Sequence, residues 1–243
     1  MAEKFRYTLA KPARLLFSSI TEKSAPRDVP GAKPKFSGTF GIEKEDFDLI
    51  VALEVQAIKS EMGTFTGNPN DYYLACTSGE TAAKRTLAKA ALDVVGKTAD
   101  EALKIHEKAE SRATLFRQYV GVLSASSQFD VELAKLEAGK IVDIGTEEHQ
   151  RAAAGKELFY PGAYVVPAVA FQGFRRKSLD AKDGVTAFLQ NCLYIRKGER
   201  LGGSGPSNND VFGGYAGYSD VDPLANAPGG GNGFEETEDA PAF

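Results

Sequence analysis

Aromatic rings and bases recur together in the second half of the chain. Arg117 and Tyr119 stand two positions apart, and Phe188, Gln190, Tyr194 and Arg196 follow one another at even spacings. Even spacing is the period of a strand, so each set falls on one side of a sheet. Arg117, Tyr119, Gly121 and Leu123 take one face of a run over Leu115–Ser126, opposite Phe116, Val120 and Val122. In a second run, Val185–Arg196, the apolar face is Val185, Leu189, Leu193 and Ile195, which leaves Phe188, Gln190, Tyr194 and Arg196 on the other. Arg175, Arg176 and Lys177 begin the separator before that run, which closes on Asp183-Gly184, a hairpin-turn signal. Open ring faces stack on nucleobases, and nearby guanidinium or ammonium groups meet phosphates. Such a surface suits unpaired nucleic acid read without a hydrogen-bond code. Each feature also has an ordinary explanation: rings on strands pack, and bases in hairpins solubilise.

Other chemistries find little support. His106 and His149 have no partner at zinc-like spacing, so no metal is expected. Gly202-Gly203-Ser204-Gly205 lacks the Gly-Lys of a phosphate loop, and there is no G-x-S-x-G elbow. Glu147 and Glu148 are adjacent, so on a helix they diverge rather than cooperate as acid and base. The expectation is a protein that is not an enzyme and needs no cofactor. Cys76 and Cys192 read as two reduced thiols. No run of 18 apolar residues exists to cross a membrane, and the charged start Met1–Arg6 is unlike a targeting segment.

Charge is divided along the chain. Of 33 acids, seven lie in 206–243, which holds no Lys or Arg, so 29 bases face 26 acids in 1–205. A mildly basic body attracts a polyanion, and an acidic tail competes with one. The stretch from about 205 onward is rich in Gly, Ser, Asn and Pro, a composition expected to stay disordered as a tether. It ends in Glu235, Glu236, Glu238 and Asp239, then Phe243. A terminal ring beside a free carboxylate fits an apolar pocket rimmed by bases on a partner protein.

Several elements must position these groups. Tyr7–Ser19 and Lys35–Glu43 read as strands, the second with Phe36, Phe40 and Ile42 on one parity. A helix capped by Asp46 runs to Gly63, and 80–112 reads as a second helical region broken near Gly96. The Lys84-Arg85 and Lys104/Lys108 charges there suit a solvated helix face. Lys140–Ile144, a short helix around Glu147–Ala153, and the extended runs Tyr160–Phe174 and Val185–Arg196 complete the body. The fold class is mainly β with inserted helices. We expect a five-stranded OB-fold barrel in 1–205, a helical insertion at about 46–112, and a separate tail at 206–243.

Three stretches carry a resemblance. They are Lys33-Pro34-Lys35-Phe36-Ser37-Gly38-Thr39-Phe40, then Tyr160-Pro161-Gly162-Ala163-Tyr164-Val165, and the block from Leu189-Gln190-Asn191-Cys192 to Arg200-Leu201-Gly202-Gly203. With the acidic tail and terminal Phe, they resemble a tailed-phage family of single-stranded DNA-binding proteins. The resemblance implies an OB fold and service in phage replication, recombination and repair, in the cytoplasm of an infected bacterial host. By that reading, single strands are held by Arg117, Tyr119, Arg175, Arg176, Lys177, Phe188, Tyr194 and Arg196. A polymerase, helicase or primase meets Glu235, Glu236, Glu238, Asp239 and Phe243, and self-association stays open. Rival readings are a strand-annealing recombination protein and a structural or interaction protein without DNA.

Overall fold

The first strand run breaks at Pro12, whose ring removes a ladder donor, and this yields β1 (Phe5–Thr8) and β2 (Ala13–Ser24). The structure is a computed structural model, and it describes residues 5–25, 33–176 and 182–201. After β2 come β3 (Lys35–Ile42), α1 (Lys44–Met62), β4 (Cys76–Ser78), α2 (Gly79–Asp93) and α3 (Ala99–Arg117). β5 (Gly121–Ser127), β6 (Glu132–Glu137), β7 (Lys140–Asp143), α4 (Glu148–Glu157), β8 (Tyr164–Phe174) and β9 (Gly184–Arg196) follow. The fold is a sheet-dominated mixture with helices, as expected, and among the described residues nine strands join one sheet. The tail lies outside the described residues.

Pairing runs β1-β8-β2-β3-β5-β9-β6-β7, with β4 on β5 and a further ladder between β8 and β9. Thus β2, β3, β5, β9 and β8 pair in succession, and β8 pairs back to β2. Among the described residues, only the β5–β9 and β6–β9 ladders are parallel. Leu15, Ile20, Phe40, Leu123, Val165, Phe171, Val185 and Leu189 fill the main core between these strands and α1. A second, smaller core forms where the α2–α3 hairpin covers Leu16 and Val122 with Ala83, Ala113 and Phe116.

Two helix starts have caps legible in residue type. Ser78 accepts from the Thr81 N–H at 3.2 Å, and Thr98 with Glu101 forms a capping box. α1 starts differently from expectation. Asp46 is not its cap but lies buried in the first turn, accepting from the Tyr7 hydroxyl at 2.6 Å and the Ala10 N–H at 2.9 Å. That ties the helix to the segment between β1 and β2, and burial together with Asp46 pushes the Tyr7 phenol up to about 12. Gly63 ends α1 at φ 80, the left-handed conformation that glycine adopts without strain. On α4, Arg151 is buried and donates to the carbonyls of Ile20, Thr21 and Val131, stitching that helix to β2.

Glu54 is the unusual core residue. Fully buried on α1, it accepts from the backbone N–H groups of Ala75 at 2.8 Å and Cys76 at 2.9 Å, so it positions β4. Burial pushes its carboxyl up to about 8, against the opposing pull of those two N–H groups and the more distant Arg85 charge. The unfolded chain releases this proton near about pH 4.3. Between those values the folded protein holds a proton that the unfolded chain has lost, so this group's contribution to stability falls as pH rises and levels off above about 8. Glu54→Gln keeps the acceptor and removes the titration. Chemical denaturation across this range should show the variant gaining on wild type as pH rises, by at most about 1.4 kcal/mol per unit. A constant difference between the two proteins would refute a raised Glu54.

Candidate nucleic-acid interface

The seam between β2 and β8 brings distant residues together. Arg14 lies in register with Tyr164, and its guanidinium donates to the Tyr164 hydroxyl at 3.0 Å and to the Glu199 carbonyl at 2.7 Å. Arg196, at the end of β9, stacks its guanidinium 3.7 Å from the Tyr164 ring centroid. One ring is therefore shared by two cations. Its phenol is held below the ordinary value, first by the Arg14 hydrogen bond and then by both positive charges.

The strap after β9 repeats the pattern. Tyr160 donates its hydroxyl to the Gly198 carbonyl at 2.9 Å and accepts from the Gly198 N–H at 3.2 Å. Arg200 then stacks 4.0 Å from the Tyr160 ring centroid and donates to the Lys156 carbonyl at 2.7 Å. A third pair lies between strand and helix: Arg112 of α3 sits 4.9 Å from the ring centroid of Phe17 on β2, which meets Phe116 edge-on. Tyr119 lies flat on the backbone of Gly41, where an added Cβ would stand 2.5 Å from the ring.

Charge pairing separates these arginines from the rest. Among the described residues, none of Arg14, Arg112, Arg196 and Arg200 has a carboxylate within 4.0 Å. A ring orders a guanidinium without cancelling its charge, so each keeps its positive field available to an anion. Arg117 is unlike them. It pairs with Glu80 at 3.1 Å. Arg175 donates to the Glu61 carbonyl at 3.0 Å, with the Glu61 carboxylate at 4.0 Å, and so closes the end of α1.

The expected site residues therefore scatter. Arg117 is in the last turn of α3 and Tyr119 in the link to β5, so neither stands on a strand; the helix continues through Leu115 and Phe116, whose apolar spacing also suits a helix face. Tyr194 is buried at 8% exposure rather than facing out, edge-on to Phe159. The reason is a one-residue irregularity: Ala168 pairs with Asn191 but Val169 with Leu189, so Gln190 is extra and the parity of β9 flips. Leu193 and Ile195, expected inward, are only half-buried. Arg175 and Arg176 are exposed beside the β8–β9 loop, and Lys177 lies outside the described residues.

Phe188 is half-buried elsewhere, eight positions from Arg196 and so about 26 Å along an extended strand. It lines a groove of about 370 Å³ with Arg6, Gln190, Asn191 and the exposed Phe129. Of the expected residues that are described, the structure places only Tyr119 and Arg196 near the stacked pairs. Arg14, Phe17, Arg112, Tyr160, Tyr164 and Arg200 were missed. The Tyr160–Val165 and Leu189–Gly203 stretches were the available signal, since they are what meets here.

Solved structures of two phage proteins are similar to this chain, one of them closely enough to show a common fold. A C-terminally truncated single-stranded DNA-binding protein from bacteriophage Enc34 superposes with a TM-score of 0.51 at 14% identity, covering 82% of this chain and 88% of its own. The chain has the fold of a phage single-stranded DNA-binding protein. The Enc34 protein in complex with single-stranded DNA gives 0.48 at 14% identity over 82% of this chain and 89% of its own. The single-stranded DNA-binding protein encoded by bacteriophage T7 gives 0.44 at 10% identity, over 92% and 100% respectively. No protein-family model matches the chain, and no curated protein matches it in sequence.

Because Tyr194 is a core residue, Tyr194→Ala should cost on the order of 3 kcal/mol of folding stability in a denaturant titration. A cost under about 0.5 kcal/mol, the range of surface substitutions, would return Tyr194 to the surface.

Proposed function

We propose that this chain is a non-enzymatic single-stranded DNA-binding protein, a coat for exposed strands during phage replication, recombination and repair. The observation that carries the reading is the set of guanidiniums stacked on aromatic rings and, among the described residues, unpaired by carboxylates, set on a fold shared with the Enc34 protein. Bases stack beside Tyr164 and Tyr119 and on the guanidinium planes, while the same arginines neutralise phosphates. The strand circuit β2-β3-β5-β9-β8 supports a five-stranded OB-type barrel as the scaffold, with β1, β6 and β7 added at its margins. The tail would act twice, its acids competing for the basic surface and Phe243 recruiting a polymerase, helicase or primase.

Unpaired bases offer π faces that a duplex hides, so oligo-dT should bind far more tightly than duplex at matched salt. With about four phosphates neutralised, the log–log salt slope should be near −3. Tyr164→Ala should weaken oligo-dT binding by about 1–3 kcal/mol, because it removes a ring and frees two guanidiniums from their fixed geometry. Fluorescence anisotropy reads all three quantities. Equal affinity for duplex would sink the proposal.

A further inference from the structure

The α2–α3 hairpin has its own charged surface, which adjoins the stacked pairs at Arg112. A groove of about 1030 Å³ runs between the two helices. Its lining includes Arg85, Lys89, Lys97, Lys108 and Arg112 and a single acid, Asp93. The small side chains Ala90 and Ala109 face into it, so the long basic side chains stand as walls around a low floor. Arg85 and Lys89 are four residues apart on α2, as are Lys108 and Arg112 on α3, about 6 Å along each axis. This gives two rows of cations on opposite sides of one channel.

Arg112 belongs to both surfaces. It lines the groove, and its guanidinium also lies 4.9 Å from the ring of Phe17 on the outer side of β2. The groove therefore opens directly from the proposed DNA surface. A solvated helix face needs no such convergence: there, bases and acids alternate and point apart. Here five bases from two helices and their connecting turn converge against one acid.

We propose that this groove carries the phosphate backbone of the single strand where it leaves the strand-built surface at Phe17, lengthening the DNA track onto the helical insertion. The inference rests on the reading of the chain as a single-stranded DNA-binding protein. It gives residues 79–117 a function beyond packing on Leu16 and Val122. Binding in the groove is electrostatic and independent of base identity, because its lining has bases but no aromatic ring.

The test uses the full chain carrying Arg85→Ala, Lys89→Ala, Lys97→Ala and Lys108→Ala together. Arg112 is kept because it is part of the stacked surface. All four positions are exposed, and alanine favours the helix, so the fold should persist; circular dichroism and the melting temperature check this. Oligo-dT from about 4 to 16 nucleotides, the span of OB-fold site sizes, is titrated against both proteins. The shortest should bind both alike. The loss should grow with length to at least about tenfold; the wild-type salt slope, near −3 for the shortest oligo, should steepen to about −6 for the longest, and the variant should lack that increment of about 0.7 per groove contact. Equal affinity at every length overturns the proposal, as does a loss of the same size at every length. Tighter binding by the variant also overturns it, for then the groove holds the acidic tail instead. Wild-type protein that does not prefer oligo-dT to duplex removes the functional reading itself, a separate and recognisable failure.

Discussion

The seam where β2 meets β8 is the constraint on which the proposed binding surface depends. Gly162 donates to the Leu15 carbonyl at 2.6 Å and Leu15 to the Ala163 carbonyl at 2.9 Å, so the chain's beginning is held against a segment near its end. Through that seam Arg14 reaches residues 150 and 185 positions away. Tyr164, Arg196 and the 197–201 strap are then set beside one another by backbone pairing rather than by their own contacts. Side chains oriented in this way lose little freedom when a ligand arrives, which is how a scaffold improves affinity without adding contacts.

The arginines divide by environment. Arg151 is buried and gives its donors to three backbone carbonyls, so it holds the fold together. Arg117 and Arg175 meet carboxylates and join neighbouring elements. Exposed pairs of that kind add little stability. Arg14, Arg112, Arg196 and Arg200 lie against rings, with no carboxylate to neutralise them among the described residues. A base-rich surface that is ordered but uncompensated is what a polyanion needs.

Local pattern in the sequence was legible wherever one period governed an element. β3 alternates as read, with Phe36, Phe40 and Ile42 inward, and α1 ends at Gly63. The helices between β3 and β5 and the sheet-dominated class were also legible. The face of β9 was not, because one extra residue at Gln190 reverses parity and leaves no mark in composition. Leu115–Arg117 misled for another reason: a short apolar run suits strand and helix alike, and the packing of Phe116 under the hairpin favours the helix. Pairings such as Arg14 with Tyr164 depend on closure over most of the chain, which no local window contains. What could be seen were the two separate stretches that carry Tyr160, Tyr164, Arg196 and Arg200.

The most direct measurement is ultraviolet crosslinking of the full chain to oligo-dT, with the attached peptides identified by mass spectrometry. Zero-length crosslinks form where a base touches a side chain, so they report contact rather than affinity. DNA lying on the stacked surface predicts crosslinks in the peptides that contain Phe17, Tyr119 and Tyr160–Tyr164. Crosslinks confined to Phe129 and Phe188 would place the strand in the other groove and contradict this account.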